Sequence, residues 1–109
     1  MILETYIDAH YIERNLSAPV IPLVLAVKGT LHGEPKSPTE FKFIARGKDD
    51  KEWETLLQVD GLKWKTSGMF ECFTWRFWTL YDKKCIQSFR LEMKNTGKAI
   101  EIEQIRLYC

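Results

Sequence analysis

Apolar and polar residues alternate through most of the chain. Between Pro38 and Leu57 (PTEFKFIARGKDDKEWETLL), Phe41, Phe43 and Ala45 fall on one side and Lys42, Ile44 and Arg46 on the other. A period of two over that length is the mark of a half-buried strand. Gly47 and the charged run Lys48-Asp49-Asp50-Lys51 interrupt the pattern as a turn does, and Trp53 leads into a second short strand over Glu54–Leu57. The stretch therefore predicts a β-hairpin. Val20–Lys28 (VIPLVLAVK) is dense in apolar and β-branched residues, with Pro22 near its start, where a strand tolerates proline. Met69–Leu80 sets Phe73, Trp75 and Phe77 against Cys72, Thr74, Arg76 and Trp78. Ile86–Lys94 carries Ile86, Phe89, Leu91 and Met93, and its break at Gln87-Ser88 suggests a bulge. Ala99–Cys109 carries Ile100, Ile102, Ile105 and Leu107, with a phase slip near Gln104.

The segments between these runs read as connections. Asn15–Pro22 holds two prolines and a serine, Gly29–Pro38 two glycines and two prolines, and Val59–Gly68 the pair Asp60-Gly61. Asn95-Thr96-Gly97-Lys98 has the glycine of a tight hairpin turn. Ile2–Glu13 admits two readings, a short helix with Leu3, Ile7 and Tyr11 at i+4 or a pair of short strands. The strand reading is preferred because every other clear element is β. Six or seven strands at regular spacing, without repeats or a linker, predict an all-β fold, an antiparallel sandwich or barrel formed by residues 1–109 as a single domain.

Composition narrows the function classes. The 109 residues are 45% hydrophobic and 13% aromatic, enough for one small core. Sixteen Lys and Arg against fifteen Asp and Glu leave a net charge of +1, which argues against a nucleic-acid partner, since that needs a basic face. No apolar run reaches the roughly 20 residues of a membrane span, so no membrane insertion is expected. The opening MILETYIDAHYIERN mixes charges with apolar residues and lacks a basic n-region, so no cleaved signal peptide is expected. Cys72, Cys85 and Cys109 are odd in number and have no C-x-x-C spacing, against a zinc ribbon or a full disulfide framework. Three reduced thiols suit a chain made in a cytosol.

Candidate chemistry is sparse. His10 and His32 have no second ligand at metal spacing, and no nucleophile elbow, P-loop or G-x-G-x-x-G occurs. Asp49 and Asp50 are adjacent, so their carboxylates point apart. The expectation is therefore no enzyme, no cofactor and no metal. Two aromatic features remain. In the strand around residues 70–81, Phe73, Trp75 and Phe77 read as the inner face, leaving Arg76 and Trp78 outside as a candidate interface or stacking surface. Trp64, flanked by Lys63 and Lys65, reads either as a ligand platform or as a lid folded back on the core. Antiparallel parity places loops 29–38, 58–68 and 95–98 at one end of the sandwich and loops 15–19, 47–52 and 81–84 at the other. The first end would gather His32, Glu34, Lys36, Lys63, Lys65, Trp64 and Asn95, an aromatic ring among polar side chains as sugar sites have.

The order Pro38, Phe41-x-Phe43-x-Ala45, Asp49-Asp50, Trp53-x-x-Leu56, Phe89-Arg90-Leu91 and Ile102-x-x-Ile105-x-Leu107 resembles the discoidin (coagulation factor 5/8 type C) family. The resemblance covers Val20–Cys109 and implies a galactose-binding-like jelly-roll sandwich, shortened at its amino end. It also implies ligand binding by loops at one end. The cysteine pair that joins the ends of many extracellular members is missing, and the family's calcium loop does not carry over. The function expected on this basis is a non-catalytic module recognising carbohydrate or another cell-surface ligand around Trp64. The alternative is a structural assembly protein, such as a virion or tail component, that oligomerises or joins a larger assembly through protein–protein contacts.

Overall fold

The computed structural model describes residues 2–3, 6–7, 11–29, 37–64, 75–94 and 100–109, and residues 2–3, 6–7 and 101 by their backbone alone. Ten strands run through these residues: β1 (Ile2–Leu3), β2 (Tyr6–Ile7), β3 (Tyr11–Val20), β4 (Val24–Lys28), β5 (Glu40–Arg46), β6 (Glu54–Val59), β7 (Trp75–Thr79), β8 (Ile86–Lys94), β9 (Glu101–Ile102) and β10 (Gln104–Tyr108). They form two four-stranded sheets, β1-β10-β4-β7 and β3-β8-β5-β6, and a two-stranded ribbon, β2-β9. All pairings are antiparallel. The fold is the all-β sandwich predicted from the alternation, and no helix occurs among the described residues.

The inner faces follow the period of two. Phe41, Phe43 and Ala45 of β5 and Phe89, Leu91 and Met93 of β8 meet Leu25 and Val27 of β4 and Ile105 and Leu107 of β10 in one buried cluster. Phe43 and Phe89 pack with their ring centroids 5.5 Å apart. The hairpin from Pro38 forms as expected, with one irregularity. Phe43 pairs with Leu57 and Ile44 with Thr55, which leaves Leu56 as a bulge. Gly47 and Asp50 close its turn, the Gly47 N–H donating to Asp50 Oδ2 at 3.0 Å.

One boundary differs from expectation. Asn15–Pro22 is not simply a connection, since β3 continues to Val20. Residues 16–19 slip out of register there: Asn15 pairs with Ser88 and Val20 with Ile86. The amide of Gln87, opposite the slip, donates to Leu16 O at 3.2 Å and so holds the detour to the sheet. The breaks foreseen near Gln87 and Gln104 are present, the second as the step at Glu103, whose N–H donates to Lys28 O at 2.9 Å.

The face of β7 is the reverse of the predicted one. Phe77 is 59% exposed, whereas Trp78 packs on the core edge-on to Phe41 at 4.7 Å. Register with β4 explains it. Trp78 stands opposite Leu25, which faces the core, and Phe77 stands opposite Ala26 on the outer side. Phe73 lies outside the described residues.

Candidate functional site

Loops 37–39 and 60–64 meet Lys94 and the start of β7 at one end of the sandwich, as strand parity requires. The Thr39 N–H donates to Lys94 O and the Leu62 N–H to Thr39 O, both at 2.8 Å. Arg76 donates from Nη1 to Lys63 O at 3.0 Å. The turns at 47–53 and 81–85 meet at the opposite end, where Lys84 Nζ lies 2.7 Å from Glu54 and 3.4 Å from Asp50. The hydrogen bond that Lys84 donates to Glu54 is the main cause that raises the Lys84 pKa. The Gly47 N–H, then Lys84, lower that of Asp50.

Trp64 does not offer a ring to this end. It is 5% exposed, and its indole N–H donates to Pro38 O at 2.8 Å. With the nitrogen satisfied and the ring in the core cluster, it is a lid on the core. Lys63 is exposed beside it, while His32, Glu34, Lys36, Lys65 and Asn95 lie outside the described residues. Arg76 and Trp78 do not form an outward-facing pair either. Arg76 ties β7 to the Lys63 carbonyl, 5.8 Å over the Trp64 ring, and Trp78 faces inward.

The structure instead places a groove of about 410 Å³ on the outer face of β3-β8-β5-β6, next to the same end. That volume is within the usual range for small-ligand sites. Tyr11, Glu92, Lys42 and Gln58 form one cross-strand row, with Glu92 paired to both Tyr11 and Lys42, and Lys42 to Gln58. The cross-strand pair Glu40 and Lys94 and, just past β6, Asp60 extend the groove toward the loops. Phe41 and Met93 also line it, although both are buried. Period two makes this arrangement: the residues between the core positions of β5 and β8 must face outward together.

Tyr11 is 59% exposed and is held from below the row. The Arg90 guanidinium carbon lies 5.0 Å from its ring centroid and 5.1 Å from that of Trp53, and the Arg46 guanidinium carbon lies 4.4 Å from Trp53. Arg90 is fixed in turn by Glu13 Oε1, to which Nε donates at 2.9 Å and Nη2 at 2.6 Å. That carboxylate raises the arginine's pKa further, so the cation is permanent. The groove thus combines an exposed ring backed by Arg90 with ammonium, amide and carboxylate groups on neighbouring strands. Such a set can stack on an apolar ring face while hydrogen-bonding to hydroxyls around it.

A second depression, of about 580 Å³, lies over Asp50–Glu54 and Lys84. Its Lys84 is already committed to Asp50 and Glu54, so we favour the smaller groove. On the other sheet's outer face, Arg106 covers Trp75 at 4.5 Å beside the exposed Phe77 and Tyr108. No group of three or more His, Cys, Asp or Glu residues suited to a metal occurs among the described residues.

No family model and no curated protein matches the sequence. Solved structures do match the fold. The F5/8 type C domain of a Bacteroides fragilis protein superposes with a TM-score of 0.71 at 16% identity, over 90% of this chain and 63% of that one. The chain has the discoidin-like fold. Two other solved structures share this discoidin-like sandwich. The family 32 carbohydrate-binding module of Streptococcus pneumoniae EndoD matches with a TM-score of 0.72 at 17% identity, over 95% of this chain and 74% of that one. The family 32 module of Clostridium perfringens NanJ, solved in complex with galactose, matches with a TM-score of 0.67 at 12% identity, over 91% and 66%. The chain therefore spans between 63% and 74% of the length of these discoidin-like structures.

Proposed function

We propose that this discoidin-like domain is a non-catalytic carbohydrate-binding module whose ligand lies in the groove beside Tyr11. The observation that carries the reading is the exposed Tyr11 ring set in register with Glu92, Lys42 and Gln58. The likeness to family 32 carbohydrate-binding modules, one with galactose bound, supports it. Lys63, and from the loops of the same end Lys65, His32, Glu34 and Asn95, are proposed to flank the ligand rather than to stack on it.

The assembly alternative gains no support from these neighbours, and the candidate interface pair Arg76 and Trp78 makes contacts within the domain.

Calorimetric titration of the chain with galactose and with galacto-, gluco-, xylo- and amino-sugar oligosaccharides tests the proposal. Binding of at least one class is expected, weakened about tenfold by Tyr11→Ala, the equivalent of about 1.4 kcal/mol for one ring contact. Binding that Tyr11→Ala leaves intact would place the ligand elsewhere, and silence toward every sugar would end the carbohydrate reading.

A further inference from the structure

The groove crosses its sheet from edge to edge. Tyr11 stands on β3 and Gln58 on β6, the two outer strands of that sheet among the described residues, with Glu92 and Lys42 between them. Three interstrand steps of about 4.8 Å make the row about 14 Å long, longer than any single sugar ring. A site for one terminal sugar is closed at one end, so that the end of the chain is recognised. Among the described residues, this one has an edge strand at each end instead.

Its charges alternate in the same way. Lys42 faces Glu92, and Glu40 faces Lys94, directly across the strands. Neither pair closes into an ion pair among the described residues, so all four groups keep hydrogen-bonding capacity for a ligand. A chain bearing one sign of charge would meet a like charge at every second position, whereas hydroxyls can donate to one neighbour and accept from the next. We infer that the groove binds an internal stretch of a neutral, linear oligosaccharide, laid across the strands with both chain ends running out over the sheet edges. Tyr11, held by Arg90 and Glu13, positions one sugar of the stretch, and Gln58 contacts another at the opposite edge. This inference rests on the carbohydrate reading above and adds the ligand's shape and charge.

Calorimetry with neutral β-linked gluco-, xylo- and galacto-oligosaccharides of increasing length tests it. Each series should include a chain with both termini blocked, and acidic and amino-sugar chains of matching length serve as charged comparisons. Affinity should rise about tenfold or more from the monosaccharide to about three units, the length that fills the row, and then level off. The blocked chain should bind as well as the free one, and the charged chains less well. Gln58→Ala should reduce the gain with length by more than it weakens monosaccharide binding, while Tyr11→Ala weakens both strongly. Both positions are exposed, so the fold is expected to persist. Equal affinity for one and three units, loss of binding on blocking the ends, or preference for a charged chain would overturn the inference and leave the carbohydrate reading standing. Length dependence untouched by both variants would overturn this placement of the site. Failure of every glycan to bind would overturn both.

Discussion

Trp64 shows how one side chain decides between two functions. Its ring is buried and its N–H is spent on Pro38 O, so its loss acts on stability. Trp64→Ala is expected to cost about 3–5 kcal/mol in urea unfolding, from lost burial and the cavity left behind. Trp64→Phe, which leaves the Pro38 carbonyl unpaired, should cost about 1–3 kcal/mol. Titration of the folded fraction of either variant should show unchanged sugar affinity. The signal for burial was present in the sequence: Leu62 and Trp64 bury on either side of an exposed Lys63, a short alternation at the end of the described loop. A lysine beside a tryptophan suggests exposure, but in extended backbone Lys63 marks the face opposite Trp64. Asp50 gives a second test at this scale. Its pKa is lowered by the Gly47 N–H and then by Lys84, so its contribution is present above its ordinary value of 3.8 and is lost as pH falls below it. Asp50→Asn should flatten the decline of the urea midpoint between about pH 5 and pH 2, and a decline identical to that of the parent chain would refute that role.

At the scale of elements, what was legible depended on whether only one face of a strand was apolar. β5 alternates through Phe41, Phe43 and Ala45 and β8 from Phe89 onward, and their inner faces and the hairpin were readable from the residues alone. In β7 aromatic residues occupy both faces, so periodicity could not choose between Phe77 and Trp78. The partner strand chose, by placing Leu25 rather than Ala26 toward the core. The groove was hidden for a related reason. Lys42 and Glu92 were readable as outward positions, but only register puts them in one row with Tyr11 and Gln58, which come from β3 and β6. The turn after β6 can be tested directly. Gly61 has φ of 64°, and it passes the chain to Leu62, whose N–H binds Thr39 O. Space is not the limit, since nothing lies within 4 Å of an added Cβ. Gly61→Ala should therefore cost about 1–2 kcal/mol through backbone strain alone. Asn at the same position, which tolerates the left-handed region, should recover part of that loss in the same unfolding assay.

For the whole molecule, charge balance separates a neutral ligand from a charged one. The chain carries a net charge of only +1, and the groove alternates carboxylates with ammonium groups, so no field of one sign extends over the binding face. Ligands held by such a field lose affinity steeply as salt screens it, as nucleic acids do. A neutral saccharide is held by short hydrogen bonds and ring contact, which salt barely alters at that range. Glycan affinity is therefore expected to change less than about twofold between roughly 0.05 and 0.5 M salt. The Asp50–Lys84–Glu54 contacts at the far end are exposed ion pairs and should weaken over the same interval, lowering the urea midpoint slightly. Measured together, the two responses should separate, with stability following salt and affinity staying flat. Affinity that falls in step with salt would mean that Lys42, Lys94 and their neighbours act as a cationic site, and the ligand would then have to be sought among acidic polymers.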